Sequence, residues 1–348
     1  MIHSCKRETI TVVQLGSTLD SSSIEQALHR ANELQVAFYF QPNCYGTRLP
    51  LGEEYRLANG GFDLCGAVKQ ALTHDEAFNT VPRPLLVLSN DAFGDPDFPS
   101  DPDAFYFSSQ EDDYDPQVTI ISTQPVSELA GVTLESYLFM MLSTHILSKY
   151  ANISYHRQAR GCLLDYDGEW TNDENCLREG ILCEECEDEI RRRVSQKKVS
   201  IEIIAAAIRL FNRAIGHRYC FVIMPFLTDL NCVYELIRSV LEEKGWQVKR
   251  ADEVFLHRLI TDGIFQEIVT ADLVVADLSG LNPNVFYEVG LTHALGNDLL
   301  LISQDRLPTD LTVDHALFYQ TDQLESLKKM IKKRVPTVTS GVSISQTR

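Results

Sequence analysis

One histidine and four cysteines fall in the spacing His156-x5-Cys162-x20-Cys183-x2-Cys186, with Cys176 between Cys162 and Cys183. A C-x2-C knuckle presents two thiolates to one tetrahedral zinc, and a pair from a separate segment completes a closed site. Cys162, Cys183 and Cys186 are the expected ligands, and the fourth is His156 or Cys176. Three or four soft ligands leave no open coordination position, so the expected ion is a structural zinc. Peptidase zinc needs two histidines one helical turn apart around a glutamate. No His-Glu-x-x-His occurs, and the apolar helix expected over 132–150 contains only His145. Nothing in the sequence asks for a redox cofactor, and the first 150 residues hold no Gly-rich phosphate loop ending in Lys-Ser/Thr.

A second constellation lies in the C-terminal third. In an open parallel sheet, ligands bind outside the carboxyl ends of the strands. The strand YCFVIM delivers Met224, Pro225 and Phe226 there, the strand in WQVKRAD delivers Arg250 and Asp252, and LVVAD delivers Asp277. The loop SGLNPN then adds Asn282 and Asn284. A helix is expected to begin at Asn284, as its cap, with Glu288 in the first turn. The dipole of that helix is expected to keep Glu288 ionised. An ionised carboxylate in a partly dry crevice can attack an anomeric carbon or stabilise an oxocarbenium-like centre. Asp277→Asn is expected to weaken ligand binding with stability changed by less than about 1 kcal/mol.

The elements that must position these residues follow from periodicity. The chain has 348 residues, enough for two or three domains. Residues 1–150 read as an α/β sensor or interaction module, with strands at 9–15, 36–40, 84–89 and 117–122. Its first helix, 21–33, is opened by a serine run that can cap it. Residues 151–190 form the Cys-rich zinc-binding segment and 191–216 a connecting helix, and one continuous helix is expected over 187–213. In 217–335, five strands alternate with helices, including one at 257–270, and predict a five-stranded parallel flavodoxin-like sheet. Residues 336–348 read as a disordered tail. The fold class is therefore α/β.

Charge and composition narrow the partners. With 31 basic against 49 acidic residues the net charge is −18, which argues against a nucleic-acid partner. No run reaches the roughly 18 apolar residues of a membrane helix. The N-terminus carries no apolar signal segment, and the nine cysteines are an odd number. A cytoplasmic protein without a disulfide framework is expected.

The runs FVIMPF (221–226) and ADLVVADLSGLNPNVFYEVGLTHALG (271–296) resemble the nucleoside 2-deoxyribosyltransferase-like superfamily over roughly residues 217–320. That resemblance implies a catalytic glutamate at Glu288 and a strand-end aspartate at Asp277 that positions the sugar or the nucleophile. It implies further that Gly290 lets the helix lie close to the sheet. The turn Asn282-Pro283-Asn284 replaces the family's Asp-Gly-Thr-like turn, which argues against transfer onto a second base and favours hydrolysis over transfer. The form seen here is also similar in layout to Toll/interleukin-receptor-type domains, some of which cleave NAD. The implied activity is N-glycosidic bond chemistry on a nucleoside, nucleotide or NAD, in a bacterial stress or anti-phage effector that could act as a homo-oligomer. The alternative is a non-catalytic nucleotide-binding signalling module. The long apolar helix followed by the Cys-rich segment is similar in layout to a degenerate zincin-like module.

Overall fold

The computed structural model describes residues 7–16, 20–42, 51–74, 80–94, 96–97, 99–100, 105–106, 108–109, 117–127, 129, 131–156, 160–165, 176–177, 181–254, 260–308 and 316–338. The chain divides between Ile215 and Gly216 into two compact units.

The first unit is built on β1 (Glu8–Leu15), β2 (Phe38–Pro42), β3 (Leu85–Ser89), β4 (Ser108–Ser109) and β5 (Val118–Ser122). They line up as β2-β1-β3-β5-β4. The first four are parallel and β4 is an antiparallel edge. Every residue of β3 and β5 is buried. Burial on both faces is why they read as unbroken apolar runs instead of alternating ones. The helices are α1 (Ser21–Leu34), α2 (Leu64–His74), α3 (Leu134–His145), α4 (Glu184–Ser195) and α5 (Ile201–Ala214). α1 is capped by Asp20, whose carboxylate accepts from Ser22 N at 3.1 Å, and not by the serine run.

Two helical expectations are corrected. The stretch 187–213 is two helices, because Lys197 takes a left-handed φ of 56° after α4 and Ser200 precedes a new start. The helix expected over 132–150 is α-helical only to His145 and closes as a π-turn, Ile146–Tyr150. The apolar faces of α3 and α5 share one core with Phe38, Phe40, Cys162, Cys176 and Cys186. The Cys-rich segment is thus packed into the first unit and does not hang from it.

The second unit contains β6 (Tyr219–Ile223), α6 (Asn231–Glu242), β7 (Gln247–Arg250), α7 (Ile260–Thr270) and β8 (Leu273–Asp277). It continues through α8 (Pro283–Leu295), β9 (Asp298–Ser303), β10 (Leu317–Phe318) and α9 (Leu324–Arg334). The strand order is β10-β9-β8-β6-β7, all parallel. This is the flavodoxin-like order, with its switch point between β6 and β8. α8 stops at Gly296, whose left-handed φ of 67° suits a residue without a Cβ. The start of the helix expected at 257 and the tail from 339 lie outside the described residues.

Register brings the chemistry to one edge. Ile223 pairs with Ala276, Asp277 with Ile302, and Ser303 with Phe318. The residues that follow β6, β8, β9 and β10 therefore leave the sheet side by side. Among the described residues, no helix is long and apolar enough to cross a membrane.

Candidate functional site

The loop from β8 to α8 sets the site. Asn282, not Asn284, caps α8: its side-chain oxygen accepts from Asn284 N at 2.9 Å, and Pro283 takes the first helical position. Proline is favoured there because its missing N–H is not needed. The shift moves Glu288 out of the first turn, which contains no acidic residue. The dipole effect fades within that turn. Burial then dominates, and it pushes the Glu288 carboxyl up to about 7. The expectation of a dipole-lowered, fully ionised Glu288 is therefore overturned. Desolvation is the cause of its shift, and among the described residues no hydrogen bond or ion pair engages its carboxyl.

Asp277 is the opposite case. It is fully buried. One carboxylate oxygen accepts from Ser279 N at 2.9 Å and from Ser279 Oγ at 2.5 Å. The other accepts from the Tyr319 hydroxyl at 2.6 Å. Burial raises its pKa, and the Ser279 and Tyr319 hydrogen bonds oppose the rise. Burial and the neighbouring Asp277 charge push the Tyr319 hydroxyl upward as well, so it stays a donor. Ser279 Oγ in turn accepts from Gln304 N at 3.0 Å, and Gly280 N donates to Asp305 at 2.7 Å. Asp277 thus joins the ends of β8, β9 and β10.

A buried carboxylate with three donors does not tolerate an amide in its place. Asp277→Asn turns an NH2 group toward one set of donors and is expected to lower stability by about 1–3 kcal/mol. That exceeds what the sequence alone predicts for a crevice side chain, and a urea midpoint equal to wild type would contradict it.

The remaining expected ligand contacts divide. Met224 and Pro225 are buried at the switch point, while Phe226 is exposed. Arg250 is held locally: its fork meets Asp252 at 2.7 and 2.5 Å and Asn231 at 2.9 Å, and it lies 4.4 Å over the Tyr234 ring. Asn284 is exposed on the first turn of α8. Sequence reasoning missed Ser279, Asp305 and Tyr319. Ser279 follows LVVAD and was legible as a turn residue, whereas Tyr319 meets Asp277 only through strand order. Tyr319 also lines a cavity of ≈ 350 Å³ with Gln304, Phe318, Gln320, Gln323 and Ser326. Glu288 is not part of that lining.

In the first unit, His156, Cys162, Cys183 and Cys186 bring their ligand atoms within 4.8 Å of one another. His156 Nε2 lies 3.0 Å from Cys186 Sγ and 3.1 Å from Cys183 Sγ, and the Cys162 and Cys186 sulfurs are 3.9 Å apart. A tetrahedral zinc with sulfurs at about 2.3 Å separates them by about 3.8 Å, so the donor set fits the ion. Cys176 instead donates to the Cys162 carbonyl at 2.8 Å, which leaves the fourth ligand place to His156. Glu185 lies 3.7 Å from His156 Nδ1, on the side of the ring away from the sulfurs. The Cys162–Cys186 contact favours the thiolate at Cys162 and opposes it at Cys186, and zinc would hold both as thiolates.

His145 belongs to no such set. It is buried, edge-on to Tyr150, with Nδ1 3.4 Å from Thr119 Oγ1. Lys149 Nζ lies 3.4 Å from the same oxygen. Burial pushes His145 down to about 3, so it is neutral beside a cation. Among the described residues, the His156 cluster is the one group with metal-holding geometry.

No family model matches the chain, and no curated protein matches it in sequence. Among solved structures, an archaemetzincin from Methanopyrus kandleri is similar over 56% of this chain and 99% of that chain, at 11% identity and a TM-score of 0.37. A 2-deoxyribosyltransferase from the psychrotolerant bacterium Bacillus psychrosaccharolyticus is similar over 31% of this chain and 90% of that chain, at 18% identity and a TM-score of 0.26. Both are distant likenesses of fold, and neither bears on a residue.

Proposed function

We propose that the second unit cleaves the N-glycosidic bond of a nucleoside-type ligand, with Glu288 as nucleophile or oxocarbenium stabiliser. One observation supports this: Glu288 is a half-buried carboxyl that no described side chain engages, in the second turn of the helix that follows β8. Asp277, whose oxygens are already bonded, shapes the loop and does not touch the sugar. In the nucleophilic route a Glu288 oxygen bonds to the anomeric carbon as the carbon–nitrogen bond breaks. The base leaves with the electron pair and takes a proton from solvent. Water then hydrolyses the glycosyl ester and frees the carboxylate. Exposed Phe226, Leu281 and Tyr287 give the second unit apolar surface suited to a heterocycle. The first unit, stapled by zinc at His156, Cys162, Cys183 and Cys186, acts as its regulatory module.

The test is incubation of the full chain with a panel of nucleosides, nucleotides and NAD, followed by mass spectrometry for free base. Release from at least one member is expected. Its rate should rise with pH through about 7, as an ionised Glu288 requires. Saturable binding with no release from any member would replace this function by a non-catalytic binding module.

A further inference from the structure

We propose that Tyr319 is a positioning residue for Glu288: through Asp277 it holds the left-handed turn that sets the start and phase of α8. The inference rests on the N-glycosidase function proposed above and adds to it a residue outside the crevice.

The turn needs holding. Gly280 and Leu281 have φ of 74° and 50° in succession. A glycine takes such a φ freely, but a leucine does so at a cost that neighbouring structure must offset. Leu281 is also exposed, so burial of its side chain does not stabilise the conformation. The backbone is fixed instead from the ends of β8 and β9. Ser279 N and Oγ bond to Asp277, Gly280 N bonds to Asp305, and Leu281 N bonds to Leu278 O at 3.0 Å. Asn282, the next residue, is the cap of α8, and Phe286 N closes the first turn onto Asn282 O at 3.2 Å. Glu288 projects from the second turn, so any slip at 280–282 rotates its carboxyl.

Tyr319 is the far anchor. It stands just after the two-residue strand β10, and its N–H bonds to Ser303 O at 3.1 Å. Its hydroxyl is the donor to the second Asp277 oxygen and lies 3.3 Å from Ser279 Oγ. Without it, that oxygen is buried and bare, and the carboxylate no longer holds Ser279 as an ion. The titratable groups facing Asp277 here are Tyr319, whose hydrogen bond favours the carboxylate, and Asp305, whose charge opposes it.

The test is Tyr319→Phe, which keeps the buried ring and removes the hydroxyl. Displacement of a reacting group by about 1 Å costs on the order of 100-fold in rate, so kcat is expected to fall at least about 10-fold with KM within about 3-fold. Amide exchange at Ser279, Gly280, Leu281 and Phe286 should quicken at least about 10-fold, with β6 and α6 unchanged. Leu281→Asn added to Tyr319→Phe should restore much of kcat, because asparagine accepts the left-handed conformation. Wild-type kcat and wild-type exchange in Tyr319→Phe would overturn the proposal. So would faster exchange spread evenly over the unit, or no recovery with Asn at 281. Should Tyr319→Phe not fold, Ser279→Ala removes the other hydroxyl and carries the same readouts. If the wild type releases no base, the N-glycosidase function fails, and amide exchange alone still decides whether Tyr319 holds the turn.

Discussion

Replacing Glu288 by glutamine is expected to cut base release at least about 100-fold while ligand affinity stays within a few-fold. Glutamine keeps the size and much of the hydrogen bonding and removes the charge that acts at the anomeric centre. The same change has a signature in stability. The folded protein raises the Glu288 carboxyl from 4.5 to about 7 by burying it. For an acid with a raised folded-state pKa, the folded chain binds the proton more tightly than the unfolded one. Its contribution is full below the unfolded value and is lost as pH rises through the folded value. Wild type should therefore lose stability between about pH 4.5 and 7, and Glu288→Gln should not. At pH 8 the variant is expected to melt above wild type, and near pH 4.5 the two should converge. Calorimetry at both pH values checks this. Parallel stability curves would show that Glu288 is not desolvated, and unchanged turnover would remove it from the chemistry.

The second large effect is expected in the first unit. Freshly purified protein should carry about one zinc per chain, and Cys183→Ser with Cys186→Ser should carry none. Structural zinc in zinc-finger peptides binds with about 10–16 kcal/mol, so its loss should destabilise the first unit by several kcal/mol. Hydrogen exchange should rise around His156, Cys162 and α4 and stay at wild-type level in β6 and β8. Elemental analysis that finds no metal in unchelated protein would end the zinc assignment. Zinc retained by the double variant would move it to other ligands.

What the sequence discloses here follows from how local the physics is. LVVAD and YCFVIM announce buried parallel strands because apolar residues run unbroken, and the alternation with helices fixes their order. The knuckle Cys183-x2-Cys186 is legible because two thiolates on one turn have few other uses. The choice between His156 and Cys176 was not legible, since it depends on Cys176 turning its thiol to the Cys162 carbonyl. The start of α8 was misplaced because Asn282 and Asn284 both suit a cap, and Pro283 decides between them. That two-residue shift reverses the electrostatics of Glu288. Tyr319 could not be found locally: it lies beside Asp277 only because β10 and β9 follow β8 across the sheet. The break at Lys197 is hidden by a charge pattern that suits one helix as well as two.

Cys162 and Cys186 sit in the same apolar core as Phe38, Tyr137 and Leu210. An ion held by those thiolates is therefore a thermodynamic ligand of the entire first unit. By mass action, each tenfold change in free zinc above its dissociation constant shifts the folding equilibrium of that unit by about 1.4 kcal/mol. The folding free energy of the first unit is then a logarithmic reading of zinc supply, taken without any moving part.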